Sequence, residues 1–390
     1  MSTETDLNIR HVTPSFRTFC GDGALAALPR ELARVGAHRA VIVCIPAVAA
    51  HTGAMGRLHD AVGDRFAGQF AEVEEHSPLP SVERARAFLV ERDADAVIAV
   101  GGGSSVVTAR AATILLGEGR DVRELCTRRE ADGRLVSPKL AAPKLPQWVV
   151  PSSPTTAYAK AGAAVRDPAT GERLALFDPK ARAQGVVLDP VMALTAPPRL
   201  SWSAALNIFS MAVEGLQSAR VDPLADALLA HALRTVVTWL PRVAAEPGQA
   251  TPRLQLMLAA VLSGQGSDHT GGGLAQALAH AIGPRSAAPN GVVEALLLPH
   301  VMRFNAEVAG DRLGAMADYL GLLDRKADAV IAEVERLLEV FEAPRRLRDI
   351  GVAPESLPEV VEHAMDDWSI TAGPRLPDAQ DVRTLLDGAF

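Results

Sequence analysis

The chain has 390 residues, 48% hydrophobic and 22% charged, with a net charge of −7 at pH 7. That balance describes a globular protein long enough for two ordinary domains with substantial cores. The acidic excess leaves no basic surface to neutralise phosphates, which argues against a nucleic-acid partner. No apolar run reaches the roughly 18 to 20 residues that cross a bilayer, so no membrane partner is expected.

Cys20, Cys44 and Cys126 form no C-x-x-C pair and are expected as free thiols in a reducing compartment. The opening MSTETDLNIRHVTPSF lacks the apolar core of a secretory signal. A cytoplasmic location is expected.

Thr13 to Ala40 reads as a short strand, a Gly21-x-Gly23 turn and a helix ending near Gly36. Ala40 to Ile45, AVIVCI, is an apolar run of the kind buried on both faces of a parallel sheet. A helix over Ala54 to Phe66, a strand around Phe70 to Val73 and a helix over Ser81 to Glu91 follow. This alternation predicts a doubly wound, Rossmann-like α/β domain.

Ala96 to Val100 is the next apolar strand, running directly into Gly101, Gly102, Gly103, Ser104 and Ser105 and then a helix of small residues. Glycines let a ligand approach the backbone, and a helix start offers N–H groups and a positive dipole end to phosphate. The competing reading is a tight strand-to-helix turn; the standard G-x-G-x-x-G fingerprint is absent. Gln147 to Asp167 predicts a strand, a hydroxyl-rich loop carrying Ser152, Ser153, Thr155, Thr156, Tyr158 and Lys160, and a second strand. Hydroxyls can bind phosphate and Lys160 would add a charge, although a solvated surface lysine is the competing reading.

The VVLDP segment around Val187 to Asp189 closes the first domain, and Leu194 to Pro198 is the expected linker. Domains at 1–193 and 194–390 follow, the second all-helical: Ser201 to Ser218, Pro223 to Ala245, Arg253 to Gly264, Asp311 to Leu322, Ala327 to Phe341, Leu357 to Asp366 and Asp381 to Phe390. Within it, Leu274, Ala277, Leu278 and Ala281 mark one helical face, while Gln276 and His280 lie four apart on a neighbouring face. Gly283 and Pro284 stop that helix. A loop with Pro289 and Asn290 follows, then an apolar run from Val292 to Leu298 that ends at Pro299 and His300.

This last stretch resembles the iron-containing (group III) alcohol dehydrogenases. Their segment runs His-x-x-x-His, about ten residues, Pro-His, and then Leu-Leu-Pro-His, as at Leu297 to His300 here. The GGGSS loop resembles that family's pyrophosphate loop, and Ser203 to Gln217 matches its Gly-x-Asp-Ala-x-x-His-Ala-x-Glu helix. The resemblance implies a dehydroquinate synthase-like architecture, NAD(P)H as cofactor and a small-molecule substrate; a homodimer is expected.

The departures carry as much information. The family's four metal ligands fall on Asn207, Met211, Gln276 and Asn290, while Glu214 and the non-ligand His280 are kept. Amides and a thioether are poor donors for Fe(II) or Zn(II), so no metal is expected. Val107 stands where the family has an Asp beyond its Ser pair, and Ala157 to Lys160 replaces a glycine-rich acidic run. The segment FEAPRRLRDIGV and the final helices have the cadence of maleylacetate reductases. These also lack that Asp and tend to carry Asn at position 207, although they keep histidines that are missing here.

A metal-independent reductase of a small carbonyl or alcohol substrate is therefore expected. Its catalytic groups are His280, Gln276 and Asn207, and its substrate contacts Met211, Asn290, Lys160 and Tyr158. For His280 the competing reading is a packing histidine. A non-redox lyase, cyclase or isomerase reusing the cleft, and a catalytically silent homologue, remain open.

Overall fold

The computed structural model describes residues 9–130, 134–286 and 288–390; the first half of the polar opening, Met1 to Asn8, lies outside the described residues. Two compact units result. One comprises Phe16–Ala205 and Thr238–Gly264; the other comprises the described residues up to Ser15, Leu206–Val237 and Gln265–Phe390. Among the described residues no helix is long and apolar enough to cross a membrane.

The strands in chain order are β1 (Arg17–Cys20), β2 (Ala40–Cys44), β3 (Phe66–Phe70), β4 (Ala96–Gly101), β5 (Arg128–Arg129), β6 (Leu135–Val136), β7 (Gln147–Pro151), β8 (Gly162–Arg166), β9 (Arg173–Phe177) and β10 (Gly185–Leu188). A parallel six-stranded sheet has the order β1-β10-β7-β4-β2-β3. Every residue of β2 and β4 is buried, as their unbroken apolar sequences require. Ile42, Ile98 and Trp148 pack with Leu28, Leu32, Met55 and Leu58 on one face. Val41, Val97 and Val149 alternate to the other face.

The chain leaving β2 runs outward to β3, whereas the chain leaving β4 runs inward to β7. Right-handed crossovers therefore place the helices that follow them on opposite faces. A crevice opens at the carboxyl ends of β2 and β4, the usual ligand position in such sheets. Gly101 and Gly102 stand at its edge.

The other unit is helical throughout. Its Leu274–Ile282 helix packs against Asn290–Leu320 and Leu357–Met365. Of that helix's nine residues only Gln276 and His280 escape full burial, as their i, i+4 spacing predicts.

Two expectations need correction, and two features were not foreseen. The third strand is Phe66–Phe70, not Phe70 to Val73, because Gly63 (φ +59) ends the preceding helix at Val62. As a half-exposed edge strand it carries no continuous apolar run to mark it. The strand after the hydroxyl loop, β8, forms an antiparallel hairpin with the unanticipated β9. Asn290 is not in a loop; it opens the Asn290–Leu320 helix, with Pro289 as N-cap.

That helix also continues through Pro299 and breaks its helical angles only at Ala309. A proline inside a helix costs about 3 kcal/mol through one lost hydrogen bond and a ring clash. Burial of Val292, Val293, Leu296, Leu297, Val301 and Met302 offsets it.

Candidate active site

In the α/β unit the glycine loop and the hydroxyl loop meet because β4 and β7 are paired neighbours, with Gly101 opposite Pro151. The Ser152 N–H donates to the Gly101 carbonyl at 3.1 Å. Gly101 has φ +128, where a side chain would be strained, and a Cβ there would lie 2.8 Å from the Ser105 Oγ. Gly102 is the N-cap of the Gly103–Glu118 helix, and no side chain caps that end. A Cβ on Gly102 would meet the Ser153 Oγ at 3.1 Å, and one on Gly103 the Thr155 Oγ1 at 3.4 Å. Backbone N–H groups, a positive helix end and hydroxyls thus converge without an intervening side chain.

The individual roles differ from those the sequence implies. Ser105 is fully buried under Gly101, and Ser152 and Ser153 are nearly so. Gly102, Gly103, Ser104 and Thr155 are only partly buried and stay accessible. The Ser104 Oγ accepts the His76 N–H at 3.1 Å, and the Ser77 hydroxyl donates to the Ser104 carbonyl at 3.1 Å. His76 and Ser77 both hold positive φ, an arrangement for non-glycine residues that the surrounding structure must enforce.

Tyr158 belongs to the scaffold rather than to a substrate surface. It is completely buried, its hydroxyl donates to the Ser153 carbonyl, and burial pushes its phenol well above its usual range. Thr156 is buried beside it, and Lys160 is partly buried. Arg110, fully buried in the Gly103–Glu118 helix, donates to the carbonyls of Ala157 (2.7 Å), Gly162 (2.8 Å) and Ala181 (3.3 Å). It clamps the hydroxyl loop to the helix that starts at the glycines.

The helical unit gathers Asn207, Met211, Gln276 and Asn290. The Gln276 Nε2 lies 3.6 Å from the Met211 Sδ, and its Oε1 accepts the Ser369 hydroxyl at 3.0 Å. The Asn207 Nδ2 donates to the Glu294 Oε2 at 2.6 Å. Asn290, one helical turn before Glu294, packs its Oδ1 against Gly283. His280 stands one turn beyond Gln276, its Nδ1 2.7 Å from the Asp367 Oδ2, with the Trp368 ring centroid 5.5 Å away.

Glu214 supports this group from a neighbouring helix. Gly273 gives the Leu274–Ile282 helix no side-chain cap, and the Glu214 carboxylate takes that place. It accepts the Ala275 N–H at 2.7 Å and the Gln276 N–H at 3.3 Å. Burial pushes its pKa up to about 7, against the pull of those two N–H groups. A Cβ on Gly273 would lie 2.2 Å from this carboxylate, so any larger residue there would push Glu214 away from the helix start.

Asp367, Glu294, Ser369 and Arg110 are absent from the sequence-predicted site. Asp367 and Ser369 lie 87 and 93 positions from their partners His280 and Gln276, and no local spacing links them. Arg110 reads in sequence as a solvated helix charge.

Comparison with known proteins places the chain. Residues 14–190 match the model "Iron-containing alcohol dehydrogenase", and residues 202–390 match "Fe-containing alcohol dehydrogenase family, C-terminal". The chain is 28% identical to maleylacetate reductase 1 of Cupriavidus pinatubonensis, covering 96% of this chain and 95% of that one. It is likewise 28% identical to lactaldehyde reductase of Escherichia coli K12, covering 95% and 97%. The crystal structure of maleylacetate reductase from Agrobacterium tumefaciens shares the fold, with a TM-score of 0.79 at 23% identity over 98% of each chain. By its two family-model matches, which together span nearly all of it, this chain belongs to the iron-containing alcohol dehydrogenase family and is an oxidoreductase.

Proposed function

We propose that the protein is an NAD(P)H-dependent reductase of a small carbonyl substrate, of the maleylacetate reductase kind, that works without a resident divalent metal. The donor set at the four family ligand positions carries this reading. Asn207, Gln276 and Asn290 offer neutral amides and Met211 a thioether, none of them an imidazole or carboxylate. The Asn207 amide is committed to Glu294, and Gln276 is held between Met211 and Ser369. These residues do not fit iron or zinc.

The dinucleotide fits the other unit. Gly102, Gly103, Ser104 and Thr155 hold its pyrophosphate at the uncapped helix start, where a side chain on Gly102 would crowd the approach. When bound, it supplies the hydride.

The helical unit supplies orientation and the proton. Asp367 holds the His280 Nδ1, which leaves Nε2 as the nitrogen that hands a proton to the carbonyl oxygen as it gains charge. The Gln276 amide, whose Nε2 meets the Met211 thioether, a weak acceptor, is a neutral donor one helical turn away that steadies that oxygen. Glu214 fixes the helix start on which both groups depend.

Titration with NADH and NADPH, followed by nicotinamide fluorescence, tests the reading. Saturable binding of at least one, with loss of 340 nm absorbance on adding a small keto acid or aldehyde, is the expected result. A folded protein that binds neither nucleotide overturns it.

A further inference from the structure

A cluster of metal-type donors that shares no residue with the four family positions lies in the helical unit. The described residues before Ser15 bring His11 to the Asp222 side chain, with Nδ1 2.7 Å from Oδ2. The His269 Nδ1, in the last turn of the Ala250–Thr270 helix, lies 3.8 Å from the same oxygen. The ligand atoms of all three lie within 4.8 Å of one another, and Asp222 is buried. No other such group of three or more occurs among the described residues.

We propose that His11, Asp222 and His269 form a site for one Zn²⁺-class divalent ion per chain. Two imidazoles and one carboxylate are the borderline donor set that zinc prefers, and three protein ligands leave a fourth position for water. Ligand atoms around tetrahedral zinc, bonded at about 2.1 Å, are about 3.4 Å apart. The 2.7 and 3.8 Å separations bracket that distance.

The surroundings orient the carboxylate as a ligand's second shell does. The Asp222 Oδ1 accepts the Leu224 and Ala225 N–H groups at 2.9 and 3.1 Å, which turns Oδ2 toward the two histidines.

The imidazole rings are stacked, with centroids 3.7 Å apart and 16° between planes. A ligating metal lies near the plane of each ring, so binding requires one of them to turn out of the stack; His269, at the longer distance, is the one to move. Zinc replaces the proton shared by the His11 Nδ1 and Asp222, and that proton leaves to solvent. The bound ion then ties the segment before Ser15 to the starts and ends of two helices. The site is independent of the proposed reductase chemistry.

The test is zinc uptake by the full chain after metal stripping. Dialysis against Zn²⁺ followed by elemental analysis is expected to give one zinc per wild-type chain, a raised thermal midpoint, and no comparable effect from Mg²⁺. The His11→Ala/His269→Ala double variant is expected to lose the zinc, whereas Met211→Leu and Gln276→Ala keep it. Anomalous scattering from a zinc-soaked wild-type crystal needs no variant and is expected to place the ion within bonding distance of His11 and His269. No uptake by the wild type, retention by a folded double variant, or an anomalous peak at Asn207 and Gln276 instead would each overturn the proposal.

Discussion

The Asp367 carboxylate lies 2.7 Å from the His280 Nδ1, although 87 residues separate the two in sequence. The contact fixes which imidazole nitrogen faces away from the carboxylate. It gives His280 the oriented partner that general acids and bases commonly have. His280→Ala should lower turnover by about 10² to 10⁴, with NAD(P)H affinity little changed because the glycine loop is in the other unit. Asp367→Asn should cost less turnover and alter the pH profile of kcat, since it keeps the shape and removes the charge. Steady-state kinetics with a nucleotide titration checks both; full activity in a folded His280→Ala protein would remove His280 from the mechanism.

Gly102→Val probes the nucleotide loop. Gly102 has φ −91, which valine adopts, and the added Cβ presses mainly on the Ser153 hydroxyl at 3.1 Å. The fold should survive while NAD(P)H binding weakens at least about tenfold, or about 1.4 kcal/mol. Gly101→Val is expected to behave differently and destabilise the chain, because φ there is +128. Circular dichroism beside a fluorescence titration separates the two outcomes.

Glu214 makes stability depend on pH. Its folded pKa is raised from 4.5 to about 7 by burial, so the folded state holds a proton that the unfolded state has released between those values. Stability contributed by the protonated form is therefore full below about pH 4.5 and is lost as pH rises toward 7, the reverse of a salt-bridged carboxylate. Glu214→Gln should flatten this term between pH 5 and 8, and urea denaturation across that range measures it. An unchanged slope would mean that the carboxylate stays ionised when folded.

Tyr158→Phe should destabilise the α/β unit by about 1 to 3 kcal/mol, because the buried Ser153 carbonyl loses its donor. Catalysis measured on the surviving folded fraction should fall little. A large loss of turnover at unchanged stability would instead restore Tyr158 to the substrate surface.

Periodicity and composition made much of the fold legible. The unbroken apolar runs of β2 and β4 announced a parallel sheet, and Gln276 and His280 four apart announced a shared helix face. Local signals failed where tertiary burial overrode them. Pro299 should end a helix, but the apolar residues around it keep the helix going. The residues at the family-motif positions could be picked out in sequence, whereas their contact partners could not. Nothing near Asp367 distinguishes it from the adjacent Asp366, and only folding brings it to His280. Tyr158 shows the opposite error: a hydroxyl beside a ligand loop reads as a contact, yet full burial makes it a pin.

Metal-free turnover tests the central proposal most directly. Protein stripped with a strong chelator, and shown by elemental analysis to hold no iron or zinc, is mixed with NADH or NADPH and a panel of small keto acids and aldehydes including maleylacetate. Nicotinamide oxidation is followed at 340 nm. The expected result is oxidation at a rate that added Fe²⁺ or Zn²⁺ leaves unchanged. Oxidation that appears only when one of these ions is restored would contradict it.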